Sequence, residues 1–243
     1  MKRLHNVTVF WKSIFLLVMI AAPVVLNAQE GEKGELYATA DFTSKYVWRG
    51  TGYGDAPSVM PTIGFCKGNF DIYVWGAYAL DDTYREMNIG VIYTLGNVTL
   101  ELVDYFYPWP GADFFNFKNS TTTHSVEAIV TYEMEKLPFH ITLGTLVYGD
   151  DKKENGNNAF STYAEVGYTH EINSKNSVAA VAGFSVNKGY YTDYTKDFGL
   201  VNLSAAYTRT FNLWDYELPA TAAYAYNPYL KDSWFYVTLS FGF

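Results

Sequence analysis

The sequence predicts an all-β fold, a transmembrane antiparallel up-and-down β-barrel of about twelve strands, and three observations carry that prediction. A segment of about ten residues with alternating apolar and polar character recurs along the chain, stopped each time by Gly, Asn, Asp or Pro. Aromatic residues make up 19% of the 243, with 22 Tyr, 17 Phe and 6 Trp. A soluble core holds many Phe, but so many Tyr need surfaces apolar at one end and wet at the other, as membrane interfaces are. Tight turns also alternate with long connections, which is how outer-membrane barrels are built: short periplasmic turns, longer extracellular loops. A mean hydropathy of −0.07 excludes a bundle of membrane helices.

Residues 1–28 read as a secretory signal. Lys2, Arg3 and Lys12 supply a positive start, and Ile14 to Leu26 an apolar stretch too short to span a bilayer. Asn27-Ala28 precedes Gln29, so cleavage is expected near Ala28, leaving a barrel over 29–243. Cleavage removes three bases and no acids, which takes the net charge from −8 to −11. An acidic chain without Lys/Arg clusters is a poor partner for nucleic acid. Cys66 is the only cysteine, which excludes an intrachain disulfide and a cysteine-based metal site. No cofactor is implied.

The expected strands are Glu35–Arg49, Val59–Cys66, Phe70–Ala79, Glu86–Leu95, Val98–Tyr107 and His124–Met134. Then come Phe139–Tyr148, Phe160–Ile172, Ser177–Val186, Leu200–Phe211, Leu218–Tyr226 and Trp234–Phe243. The connections after the second, fourth, sixth and eighth strands are tight, at Lys67-Gly68-Asn69, Gly96-Asn97, Glu135–Pro138 and Asn173–Asn176. Asn212–Glu217 is the longest of the expected turns, and Pro108–Thr123, Gly149–Ala159 and Asn187–Gly199 are the long loops. An even strand count puts both ends of the barrel on the short-turn side.

Period-two spacing sorts each strand into two faces. Val126, Ala128, Val130 and Tyr132 oppose Ser125, Glu127 and Thr131; Phe139, Ile141, Leu143, Thr145 and Val147 oppose His140, Thr142 and Gly144. The last strand turns Phe235, Val237, Leu239, Phe241 and Phe243 outward. Aromatics gather at strand ends: Trp48, Tyr107, Trp109, Phe114 and Phe115 at the loops, Trp214 and Tyr216 at the turns. The ending Leu239, Phe241, Phe243 resembles the signal by which bacterial outer-membrane barrels are handed to their assembly machinery. That machinery and outer-membrane lipid are the expected partners in a Gram-negative cell.

If the first strand keeps Phe42, Tyr46 and Trp48 outside, Asp41, Lys45 and Arg49 face the lumen. The same parity turns Asp71, Glu101, Glu127, His140 and Glu165 inward. Two readings follow. Excess acid in a confined lumen favours passage of cations. Alternatively Lys45 and Arg49 neutralise the acids in a hydrogen-bonded network that plugs a narrow barrel. Arg209 shares the parity of Val201, Leu203 and Tyr207 and is expected on the lipid face near the turns.

Two rival chemistries are weak in the pattern. Asp150, Asp151, Glu154, Asn155, Asn157 and Asn158 cluster oxygens in one loop, but without the spacing of a calcium loop and beside Lys152 and Lys153. His124-Ser125 near Asp113 suggests an acyl hydrolase, yet adjacent strand residues point to opposite faces and a nucleophile needs its base within reach. A structural or adhesive barrel without an open pore fits the same strands.

Ser44-Lys45-Tyr46-Val47-Trp48-Arg49-Gly50, followed by Pro57-Ser58-Val59-Met60-Pro61, resembles the S-D-Y-x-(F/W)-R-G … P-x-x-Q opening of the TorF-family porins. Phe70-Asp71-Ile72-Tyr73-Val74-Trp75-Gly76 is similar to that family's G-F-Y-x-G-x-W-G strand, and Tyr105, Tyr107, Pro108 and Gly111 to its Y-x-Y-Y-P-G ending. Lys45 stands where the family has an acid, and Met60 near its Gln. The resemblance covers residues 36–111 most clearly. It implies a barrel in the outer membrane and a channel for small solutes, with Tyr46, Trp48, Arg49, Gly50, Trp75 and Gly76 as the shared residues.

Overall fold

The computed structural model describes residues 33–242. The signal segment with Ala28, and the terminal Phe243, lie outside the described residues. The chain forms β1 (Glu35–Thr43), a small hairpin of β2 (Tyr46–Trp48) and β3 (Thr51–Tyr53), then β4 (Ser58–Lys67), β5 (Phe70–Ala79), β6 (Arg85–Leu95) and β7 (Val98–Phe106). It continues through β8 (His124–Glu133), β9 (Phe139–Gly149), β10 (Thr162–Asn173), β11 (Asn176–Ser185), β12 (Gly199–Leu213), β13 (Tyr216–Asn227) and β14 (Asp232–Gly242). All but β2 and β3 form one closed antiparallel barrel of twelve strands, β14 returning to pair with β1. Closure leaves no sheet edge with unpaired backbone groups.

Tight turns hold one end. Gly68 and Gly96 adopt φ of 58° and 57°, the left-handed region that two-residue hairpins need and that glycine enters freely. The expected long turn at 212–217 is shorter than the sequence suggests. Leu213 pairs with Tyr216, so only Trp214-Asp215 turn, and Trp214 is almost wholly exposed at that rim. The opposite end carries the long connections.

The wall alternates as the spacing requires. Ile63, Ile72, Val130, Tyr132, Ile141, Leu143, Phe235 and Val237 all present an apolar outer face, with Phe235 69% exposed. Such a continuous band is untenable in water and suited to lipid. At the closing seam Phe42 packs edge-on against Phe241 with ring centres 5.5 Å apart, outside the barrel, and Leu239 pairs with Phe42. Arg209 is exposed on this face, its guanidinium 5.3 Å from the Phe211 ring. Val201 departs from the expected parity. The β11–β12 register slips between Gly183 and Phe184, and this bulge turns Val201 inward, where it is fully buried.

The first expected strand needs correcting. Glu35–Arg49 is not one strand: the ladder with β4 ends at the Thr43–Ser58 pair, and the chain leaves the wall there. Residues 44–57 fold back into the lumen as the β2–β3 hairpin.

Candidate functional site

The hairpin is short because its turn is. Arg49 and Gly50 both take positive φ, 48° and 78°, giving a two-residue turn that pairs Trp48 with Thr51 and Tyr46 with Tyr53. Gly50 also passes so close to β12 that a Cβ there would fall on the carbonyl oxygen of Val201. Lys45 donates to the Gly54 carbonyl, and so fastens the base of the hairpin. Among the described residues it makes no ion pair, so of the two readings of the lumenal charge, neutralisation by Lys45 has no contact behind it.

Tyr46 and Trp48 are therefore lumenal, not part of an outer aromatic belt. Tyr46 is buried against Trp75 at 5.6 Å and Tyr84 at 5.7 Å between ring centres. Trp48 packs on Tyr105 at 5.7 Å and Tyr191 at 6.0 Å. Tyr107 likewise faces this cluster, 6.5 Å from Tyr84. Trp109 and Phe115 remain exposed at the loop end.

Arg49 does face inward, by an unexpected route. The hairpin carries it across the lumen to Glu127 on β8, Nη1 to Oε1 at 2.6 Å, with the carboxylate wholly buried. Tyr105 donates to the other carboxylate oxygen at 2.7 Å, and Arg49 also donates to the Tyr191 hydroxyl. The guanidinium lies 4.5 Å from the ring centres of both Trp48 and Tyr163. Gly144 on β9 leaves room for this pair, since a Cβ there would meet Glu127 Oε1 and stand 3.0 Å from Arg49 Nη2. A buried ion pair is stable only when its remaining hydrogen-bonding capacity is met, and here tyrosines meet it.

The other sequence-predicted lumen residues lie outside this pair, and of them Glu165 and His140 come together. Asp71 accepts from Tyr37 at 3.1 Å, and Glu101 from Tyr73 at 2.5 Å. Glu165 accepts from Tyr163 at 2.7 Å and lies 3.5 Å from His140 Nε2. Asp41 is half-buried on β1, opposite Ser240 and Met60. Sequence reasoning missed Glu86, which is buried and accepts from Tyr84 at 2.5 Å and from Asn88 at 2.8 Å. Its parity with Asn88 and Gly90 was the available clue. Tyr191 was also missed; a 3-10 turn at Tyr190–Thr192 dips it from a long loop into the lumen.

Tyr46, Trp48, Arg49, Gly50, Trp75 and Gly76 thus converge on one place. Trp75 stacks on the hairpin, and Gly76 follows it beside the Glu86 carbonyl. Beneath the hairpin, towards the tight-turn end, a cavity of about 460 Å³ remains, walled by Tyr46, Trp48, Trp75, Asn88, Glu101 and Tyr105 among others.

The hydrolase constellation does not assemble. His124 faces the outer side, Nδ1 2.9 Å from Asp104 and Nε2 2.9 Å from the Phe114 carbonyl, while Ser125 faces inward. The Asp113 carboxylate caps the Phe115 N–H at 3.0 Å instead. In the acidic loop, Asp151 is buried and accepts from the Ser161 N–H and hydroxyl and from Tyr194, tying two long loops together. Burial pushes the Asp150 carboxyl above its ordinary range, against the opposing pull of Lys152.

No family model matches the chain, and no curated protein matches it. Among solved structures, it is similar to a NanC porin, at 12% identity and a TM-score of 0.44 over 86% of this chain and 98% of that one. It is also similar to a bacterial polysaccharide outer membrane secretin, at 11% identity and a TM-score of 0.41 over 86% and 97%. A FadL homologue of Pseudomonas aeruginosa aligns at 9% identity and a TM-score of 0.36 over 86% and 89%.

Proposed function

We propose that this chain is an outer-membrane channel for small solutes of the TorF type, narrowed by its own first loop and preferring cations. The supporting observation is the inward hairpin: it is held at its tip by Arg49, paired with Glu127 and bonded to Tyr191, and leaves a lumenal cavity on its tight-turn side. Export follows from the signal at 1–28, and insertion from the assembly machinery acting on Leu239, Phe241 and Phe243. The long loops face outside the cell. A protease tag within 152–158 is then cut on intact cells, while one at Gly96-Asn97 is protected until the membrane is breached. The reverse pattern contradicts this orientation.

The cation preference rests on Asp41, Asp71, Glu86 and Glu101, which make no ion pair among the described residues. Confined carboxylates raise the local cation concentration, most strongly at low salt. Planar-bilayer conductance tests the channel, and reversal potentials in a salt gradient test the preference. A second reading, a structural barrel without an open pore, is favoured by the burial of Arg49, Glu127 and Tyr163 across the lumen. Absence of conductance in the folded protein selects it.

A further inference from the structure

The cavity beneath the hairpin has a one-sided chemistry. Several of its donors are already engaged with acceptors. Tyr73 donates to Glu101, and Tyr37 to Asp71. Asn88 donates through Nδ2 to Glu86, which fixes the orientation of the amide: a flip would set oxygen against carboxylate. Its Oδ1 is then left without a partner, although Asn88 is only 6% exposed and lines the cavity. A buried acceptor left unmet is costly, so such an atom marks a place where a donor belongs.

The charge is one-sided too. Arg49 lines this space too, but its charge is engaged by Glu127, and Glu101 makes no ion pair among the described residues. The walls are the rings of Tyr46, Trp75, Trp48 and Tyr105, whose π faces carry partial negative charge. A sugar needs donors as well as acceptors, and an anion needs donors and positive charge. The charge left unpaired here is the Glu101 carboxylate and the unmet buried atom is the Asn88 acceptor, so a cation bearing N–H groups and an apolar body matches both features. At about 30 Å³ per water, about 460 Å³ holds roughly fifteen waters' worth of solute, enough for an amine of several carbons.

We propose that this cavity is a binding site for organic ammonium ions, with Glu101 as counter-ion, Asn88 Oδ1 accepting an ammonium N–H, and the Trp75 and Tyr46 rings against the apolar body. The proposal deepens the cation-preferring channel reading and rests on it for how the ligand arrives.

The test uses the refolded full-length barrel in detergent, with n-butylammonium, butyrate and glucose as probes followed by calorimetry and tryptophan fluorescence. Saturable binding of n-butylammonium alone is expected, weakening as salt rises, with affinity falling at least tenfold in Glu101→Gln. Trp75→Leu carries the same expectation should Glu101→Gln not fold. No saturable butylammonium binding, equal binding of glucose or butyrate, or unchanged affinity in a folded variant overturns the site. Conductance in bilayers separates the two ideas. A conducting barrel that binds no amine loses the site and keeps the channel, and an amine-binding barrel that never conducts does the reverse.

Discussion

Glu127 and Glu101 sit on neighbouring strands and face the same lumen, yet they live in different chemistry. Val103 pairs with Glu127 and Glu101 with Ile129, so they are one rung apart along the inner face. Glu127 is wholly buried and joined to Arg49; Glu101 has a tyrosine and a cavity beside it. The difference is made by the hairpin, which reaches Glu127 and stops above Glu101. Between these two acids, position relative to one folded-in loop, not residue type, decides which is neutralised. The barrel interior is therefore two regions, a constriction where Glu127 is paired with Arg49 and a vestibule where Glu101 is not.

The largest effect expected from breaking this contrast is Arg49→Ala. It strands a buried carboxylate, which costs about 3–5 kcal/mol. Urea unfolding in detergent, read by the heat-modifiable gel shift, measures the loss. Arg49→Lys restores charge without the guanidinium's place over the Trp48 and Tyr163 rings and is expected to recover only part of it. Stability equal to wild type for Arg49→Ala would mean the pair does not anchor the hairpin.

Gly144→Val is next in size. Its side chain enters the space held by the Glu127 carboxylate and the Arg49 guanidinium, and overpacking of this kind costs about 1–3 kcal/mol. The same substitution at the lumen-facing Gly64, where only the Tyr37 ring stands in the way, serves as the comparison outside the pair. Equal losses at both sites would show that the ion pair contributes nothing beyond packing.

The smallest effect sharpens the contrast most. Glu101→Gln is expected to shift the reversal potential in a salt gradient towards zero, because it removes an acid that makes no ion pair. Glu127→Gln removes a neutralised one and leaves Arg49 in excess beside it, so any change there comes from the freed base. If both variants lose the same cation preference, the two regions are electrostatically alike.

The wall was largely legible in the sequence because period-two alternation and turn residues are local signals. Phe70–Ala79 has the expected bounds, and Asp71, Glu101, Glu127 and Glu165 each accept a hydrogen bond from a tyrosine. The hairpin was not legible, for a physical reason. Tyr46, Val47 and Trp48 continue the alternation of β1, so nothing local separates a strand that goes on from one that leaves the wall. What separates them is the positive φ of Arg49 and Gly50 and the meeting of Arg49 with Glu127, 78 residues away. The family resemblance marked Tyr46, Trp48, Arg49 and Gly50 without saying why they belong together. In the structure Tyr46, Trp48, Arg49 and Gly50 form the inward hairpin.

Excising that hairpin tests the account most directly. Thr43 and Ser58 are paired, so residues 45–56 can be replaced by a short Gly/Ser link that leaves the wall ladder intact. Single-channel conductance of the excised barrel, still heat-modifiable, is predicted to exceed that of the wild type several-fold. A folded, excised barrel with wild-type conductance, or with none, would contradict the claim that this hairpin narrows a solute path.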